Sequence, residues 1–256
     1  MLVAERHQRI VEVVNQRKSI RVSELASLFS VTDETIRRDL EKLEKEKKLA
    51  RSHGGAVSIA NSQDGPEIPF QEREVMYVDE KKAIAQEAVK HIVETDKILL
   101  DASTTAWYVA KNLPNIPITV LTNSVNVVLE LSKKNQITVI STGGTLLPRS
   151  LSFVGPLAVS SLDLYHVNKA FLSCKGVHLE KGMSESNEQQ ARVKQKMIDI
   201  ADTTYLLANH QKFHIRAFAH VAPIDNVQRI ITDSNAPEQQ VYDLKENGIE
   251  VIQALR

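Results

Sequence analysis

The sequence predicts a two-domain chain of mixed class: a small helical head closed by a hairpin over residues 1–57, and an α/β domain over residues 74–256. Three observations carry this. Three short amphipathic periodicities precede a Gly-Gly turn; a polar stretch with two prolines and a glycine follows; from residue 97 onward, short apolar runs alternate with helical patterns. The polar stretch makes residues 58–73 a linker, with Asn61-Ser62-Gln63-Asp64-Gly65-Pro66 and Pro69 as turn material.

In the head, Ala4–Gln16 sets Ile10 and Val14 on one face. A second helix carries Leu25 and Phe29 four residues apart, with Ser23 as its expected N-cap. The third begins after Thr32, whose hydroxyl suits the cap, with Asp33 and Glu34 in the first turn. Ile36, Leu40 and Leu43 form a single apolar stripe. Arg38, Glu34 and Lys42 lie opposite it, and Thr35 and Arg37 flank it.

The second and third helices are separated by a turn of three or four residues, which is the helix-turn-helix arrangement. An exposed Arg on its second helix can donate two hydrogen bonds to guanine, and a Thr can meet a thymine methyl. Residues 47–57 then form a hairpin turning at Gly54-Gly55. Lys48, Arg51 and His53 would stand on this wing beside the phosphate backbone. The competing reading of Arg37-Arg38-Asp39 is a solvated face in which Asp39 pairs with Arg38 or Lys42.

Bulk properties narrow the classes. The 256 residues hold 32 Lys and Arg and 32 Asp and Glu, so the net charge is zero. The distribution is uneven: residues 1–57 hold 12 basic against 9 acidic residues, and the rest 20 against 23. A basic head on an acidic body fits a modular nucleic-acid binder. No apolar run approaches the roughly 18 residues of a membrane span, and the N-terminus is too polar for a signal peptide, so a cytoplasmic protein is expected. The single cysteine, Cys174, excludes an intramolecular disulfide and reads as a buried small hydrophobe.

In the second domain a helix over Glu74–Thr95 leads in, with Ile84, Ala88 and Ile92 in register. Strands are expected at Ile98–Leu100, Ile118–Leu121, Ile137–Ile140, Ala170–Leu172, Tyr205–Leu207 and Arg229–Ile231. Helices are expected at Ala106–Leu113, Val125–Lys133 and Gln189–Ala201. This alternation indicates a mostly parallel sheet, which takes ligands beyond the carboxyl ends of its strands.

Three such ends are small and polar: Asp101-Ala102-Ser103-Thr104-Thr105, Thr122-Asn123-Ser124 and Ser141-Thr142-Gly143-Gly144. Each turn alone reads as a helix cap; three together read as a phosphate or polyol pocket. Ser103, Thr104 and Thr105 would take the phosphate, with Arg149 or Lys212 as the cation. Asp101, Asn123, Glu185 and Asn187 would take hydroxyls, and Lys175 is either a second pocket cation or a surface lysine. His210 is a candidate pocket donor, and neither it nor His214 and His220 has a metal-ligand spacing, so no metal or cofactor is expected.

Residues 31–44 (VTDETIRRDLEKLE), followed by 49–56 (LARSHGGA), closely resemble the signature of the DeoR family of bacterial sugar-metabolism regulators. The resemblance continues through Pro69-Phe70, Arg73 and Glu80-Lys81, then through the DASTT loop, Phe153-Val154-Gly155, Gly182 and Ala208–Phe213. It implies DNA contacts by Thr32, Thr35, Arg37, Arg38 and Arg51, and a sensor domain with the fold of ribose-5-phosphate isomerase. This chain departs at Thr32 (commonly Ser), Ala102 (usually Gly) and Asn209 (usually Asp).

The expected function is a repressor of a carbohydrate catabolic operon. It would bind double-stranded operator DNA as a homo-oligomer, dimer or tetramer, and respond to a small phosphorylated sugar. Two rivals remain: an enzyme, either a sugar-phosphate isomerase or a deaminase-like hydrolase, using Asp101 or Glu185 as base, and an architectural DNA binder indifferent to metabolites.

Overall fold

The computed structural model describes residues 3–17, 19–46, 48–52, 54–57 and 67–255. His53, Lys47 and the linker stretch 58–66 lie outside the described residues. The chain divides into two compact units, one of residues 1–65 with Gln71–Val78, the other of residues 66–70 with 79–256.

The first unit holds α1 (Val3–Arg17), β1 (Ser19–Arg21), α2 (Val22–Phe29), α3 (Asp33–Lys45), β2 (Ala50–Ser52) and β3 (Gly55–Val57). The strands form an antiparallel sheet in the order β1-β3-β2. Ile10, Val14, Leu25, Ile36, Leu40 and Leu43 make the core, as their periodicity predicts. Ser23 is not the cap of α2. That helix begins one residue earlier, directly out of β1, and the Val22 N–H is satisfied by the Gly54 carbonyl of the wing at 2.7 Å. The β1 strand itself was not legible in the periodicity.

The two wing glycines differ in role. Gly54 has φ +93°, which makes the turn, whereas Gly55 is needed for space. A Cβ on Gly55 would lie 2.3 Å from the Ile20 carbonyl oxygen. Gly55→Ala is therefore expected to pry β3 from β1 and destabilise the head by about 1–3 kcal/mol. Circular dichroism on heating checks this; an unchanged melt would mean the pairing is looser than its geometry.

The expected single helix over Glu74–Thr95 is broken. A short α4 (Phe70–Glu74) ends before Tyr77, which has φ +50°, and α5 (Val78–Val89) starts after it. Ile92 is buried beyond the end of α5.

The second unit is built on a seven-stranded sheet. Its elements run β4 (Lys97–Leu100), α6 (Thr104–Asn112), β5 (Ile118–Thr122), α7 (Val125–Leu131), β6 (Ile137–Ser141), β7 (Thr145–Leu147), β8 (Ser152–Val154), α8 (Pro156–Leu162) and β9 (Val167–Leu172). Then come β10 (Gly176–His178), β11 (Gly182–Glu185), α9 (Glu188–Asp199), β12 (Ala201–Leu207), β13 (Ala219–Ala222), β14 (Arg229–Asp233), α10 (Glu238–Glu246) and β15 (Glu250–Ala254). The sheet order is β15-β14-β12-β9-β4-β5-β6, and every pairing is parallel. The expected helix 189–201 stops at Asp199, because Ala201 already pairs with Val167 in β12.

From β4 the chain moves outward through β5 to β6, then returns to place β9 on the other side of β4 and continues to β15. The strand order thus reverses between β4 and β9, the position where open α/β sheets form their ligand crevice. α6 packs beside α7, and α9 packs beside α8. In chain order the hairpin β7–β8 and the strands of the small antiparallel sheet β10-β11-β13 are inserted between strands of the main sheet. Among the described residues no helix is long and apolar enough to cross a membrane.

Candidate functional site

In the head, α3 presents an exposed face. The Thr32 hydroxyl accepts the Thr35 N–H at 3.2 Å, and the two hydroxyls are 2.9 Å apart. Arg37 and Arg38 are exposed; Arg38 pairs with Glu34 one turn back, while Arg37 has no ion pair among the described residues. Arg51 is exposed on β2, and its backbone N–H is held by Glu44 of α3 at 2.8 Å, which fixes the wing against the helix.

Asp39 does not pair with Arg38 or Lys42. It faces inward, 6 % exposed, and accepts from Arg6 at 2.6 and 3.2 Å and contacts His7 at 2.9 Å. Burial pushes its carboxyl up, but Arg6 and His7 outweigh this and hold it below the ordinary carboxylate range. The Arg-Arg-Asp run is thus two solvent-facing cations followed by a core anchor.

In the second unit, the carboxyl ends of β4 and β9 meet on Asp101. This residue has no exposed surface. One oxygen accepts the Ser103 N–H at 3.0 Å; the other accepts the Ser173 N–H at 3.0 Å and lies 2.9 Å from the Lys194 ammonium. Lys194, reaching in from α9, also donates to Glu185 at 2.6 Å and to the Ser173 carbonyl. Burial pushes Asp101 up and Lys194 down, and in each case the opposite charge wins, so Asp101 is lowered and Lys194 raised.

Ser103 caps α6, accepting the Ala106 N–H at 3.1 Å, and Thr104 and Thr105 are buried in the same first turn. After β5, the Asn123 amide nitrogen donates to the Phe153 carbonyl at 2.9 Å, and its buried oxygen has no partner among the described residues. After β6, Gly143 and Gly144 both have positive φ, and a Cβ on Gly144 would meet the Val154 carbonyl at 2.7 Å. Past β9, Lys212 donates to the Cys174 carbonyl, and burial pushes its ammonium down. Lys175 is half-buried, with its backbone N–H on the Ser184 carbonyl at 3.0 Å.

Other candidates have different tasks. The Asn187 side chain caps α9, accepting from Gln189 and Gln190. Arg149 is exposed in the turn between β7 and β8. His210 pairs with Asp233 at the end of β14, 3.0 Å away. The Cys174 thiol is buried and pushed up to about 11 by that burial, which makes it a poor nucleophile.

Lys194, Ser173 and Asp233 belong to the site without standing out in the sequence. Lys194 left a signal. Gln190, Ala191, Val193, Lys194, Met197 and Ile198 are the buried residues of α9, so the lysine falls on the apolar stripe. A charge at such a position needs an internal partner.

A family model described as the DeoR-like helix-turn-helix domain matches residues 6–62, and one described as the DeoR C-terminal sensor domain matches residues 76–234. An uncharacterized HTH-type transcriptional regulator, YulB of Bacillus subtilis, is 59 % identical over 98 % of this chain and 96 % of its own length. The L-fucose operon activator of Haemophilus influenzae is 37 % identical over 91 % of this chain and 93 % of its own. The regulator GlpR of Haloferax volcanii is 34 % identical, over 98 % of both. Ribose-5-phosphate isomerase A of Methanocaldococcus jannaschii is similar at a TM-score of 0.40 and 17 % identity, over 53 % of this chain and 54 % of that one, too distantly to carry a function. The two family models span most of this chain and the three regulators align with it along nearly their whole length, and the chain belongs to the DeoR family of DNA-binding transcriptional regulators.

Proposed function

We propose that this regulator is a repressor of a carbohydrate catabolic operon whose DNA affinity is set by a small phosphorylated sugar. The observation that supports the effector reading best is the polar cluster where the strand order reverses, built on Asp101, Lys194 and Glu185. Relatives named for the fucose operon and, as a putative repressor, for the aga operon support the sugar class.

In this reading the first turn of α6, at Ser103, Thr104 and Thr105, receives the phosphate, because free N–H groups and the helix dipole favour an anion. Lys175 and Lys212 supply the positive charge, with Arg149 at the rim. Gly143, beside which the space is open, lets the backbone approach the ligand closely, and Gly144 holds that turn against the Val154 carbonyl. The Asn123 oxygen, its amide nitrogen already committed, accepts a sugar hydroxyl. Asp101 acts as a positioning group, since both of its oxygens are taken by Ser103, Ser173 and Lys194; Glu185 keeps one oxygen for a hydroxyl.

The head takes operator DNA through Thr32, Thr35, Arg37, Arg38, Arg51 and His53, within domain limits of 1–57, 58–73 and 74–256. Two or four copies bind repeated half-sites in the cytoplasm. The ligand changes operator affinity only insofar as it binds the free and DNA-bound forms unequally.

The test is a thermal-shift screen of phosphorylated pentoses and hexoses beside their unphosphorylated forms, followed by binding to a duplex selected from random DNA. A phosphorylated member should raise the melting temperature and change duplex affinity. Stabilisation by unphosphorylated sugars alone would overturn the phosphate assignment, and a panel without effect would count against the effector class.

A further inference from the structure

We infer that residues Glu67–Phe70 are a coupling strap, held by the two helices that converge on Asp101, through which the state of the sensor site reaches the chain leading to the head. This rests on the effector site proposed above and concerns how that site is read out.

Contacts to α9, to the turn between β7 and β8, and to α6 tie the strap to the second unit. The Glu67 carboxylate accepts from the Gln190 side chain of α9 at 2.6 Å. The Phe70 N–H donates to the Arg149 carbonyl at 2.7 Å. The Phe70 ring, 2 % exposed, meets Trp107 of α6 edge-on, with centroids 5.7 Å apart and planes at 78°.

Each helical contact is one turn from the site. Gln190 precedes Lys194 by four residues on the same buried stripe of α9, and Lys194 holds Asp101 and Glu185. Trp107 makes an early helical bond of α6, its N–H on the Ser103 carbonyl at 3.1 Å, and the Ser103 N–H is held by Asp101. Both routes from the strap therefore end on one carboxylate. A helical turn is stiff, so displacement of Lys194 or of the Ser103 loop is passed to Gln190 and Trp107 rather than absorbed. Phe70 also opens α4, whose Gln71–Glu74 group with the first unit. Releasing the strap therefore frees the start of the segment that continues toward the head.

The test is native-state hydrogen exchange on the full chain, read by mass spectrometry over the peptide 67–74. Ser103→Ala should speed its exchange about fivefold, the change expected from losing a helix cap worth about 1 kcal/mol, and Lys194→Arg should speed it as well by displacing the ammonium that holds Asp101. Val241→Ala, in α10 at the far edge of the sheet, is the control for general loosening. No change in 67–74 with either site variant, or an equal change with Val241→Ala, would overturn the strap.

A second arm uses ribose 5-phosphate, fructose 1-phosphate and inorganic phosphate as probes. A probe that raises the melting temperature should also alter exchange at 67–74, and Glu67→Ala should weaken that response while stabilisation persists. Stabilisation with unaltered exchange at 67–74 would overturn the strap and leave the effector site standing. No stabilisation by any probe would count against the effector site, and the first arm would still decide the strap.

Discussion

Lys194→Met is expected to destabilise the sensor domain by about 3–5 kcal/mol, because it strands two buried carboxylates without their cation. Asp101 has no exposed surface and Glu185 is 8 % exposed, so water does not replace the ammonium. For a domain of this size the loss corresponds to roughly 6–20 °C in melting temperature. The pH dependence separates charge from packing. In the unsubstituted chain Asp101 is held below its ordinary value, so its pairing contributes stability above the carboxylate range and loses it as pH falls through the lowered value. In Lys194→Met its strongest counterweight is gone. Burial then acts against only the Ser103 and Ser173 N–H groups, pushing the carboxyl up, so protonation relieves the variant as pH falls. The stability gap between the two proteins should therefore narrow between pH 7 and about pH 4 in calorimetric melts. A gap that stayed constant would assign the loss to the shape of the side chain.

That cluster also marks how far the sequence could be read. The parallel sheet was legible because its central strands are apolar on both faces: Leu99, Leu121, Phe171, Leu206 and Ile231 are all buried and stand in short runs between helical patterns. The strands β7, β8, β10, β11 and β13 were not, since each has only three or four residues, many of them small or polar, too few for a period to show. The polar strand ends were visible as turns, but which of them meet depends on strand order. Asp101 and Ser173 are 72 positions apart and become neighbours only because β9 returns to lie beside β4. Lys194 is inconspicuous for a different reason: within EQQARVKQKMID a lysine looks solvated, and only the stripe shared with Val193 and Met197 turns it inward. In the head, Thr32, Ile36, Leu40 and Leu43 were read correctly because a cap and a helical period are local properties. The role of Asp39 is not local, because its partners lie 32 and 33 residues away on α1.

Asp39 and Arg37 should then give opposite signatures although they are two residues apart. Asp39→Ala leaves the Arg6 guanidinium buried without its carboxylate, a loss of about 3–5 kcal/mol. A head of 57 residues holds roughly 3–9 kcal/mol in total at ordinary stability per residue, so this variant should melt near working temperature. DNA binding would be lost through unfolding, while a sensor-domain transition persists in calorimetry. The carboxyl is held below its ordinary range, so the unsubstituted head should lose the same contribution in acid, as pH falls through that lowered value. Arg37→Ala removes an exposed side chain with no ion-pair partner among the described residues and should leave both transitions in place. Its cost should appear only in binding, as about 1–3 kcal/mol of base discrimination, or roughly 5- to 150-fold in affinity for the selected duplex. Arg51→Ala should instead weaken all duplexes alike and lower the salt slope by about one. If Arg37→Ala lost affinity equally on selected and random DNA, that arginine would be a phosphate contact, and base reading would pass to Thr35 and Arg38. If Asp39→Ala bound DNA normally, the Arg6–Asp39–His7 cluster would not be what holds α3 in place.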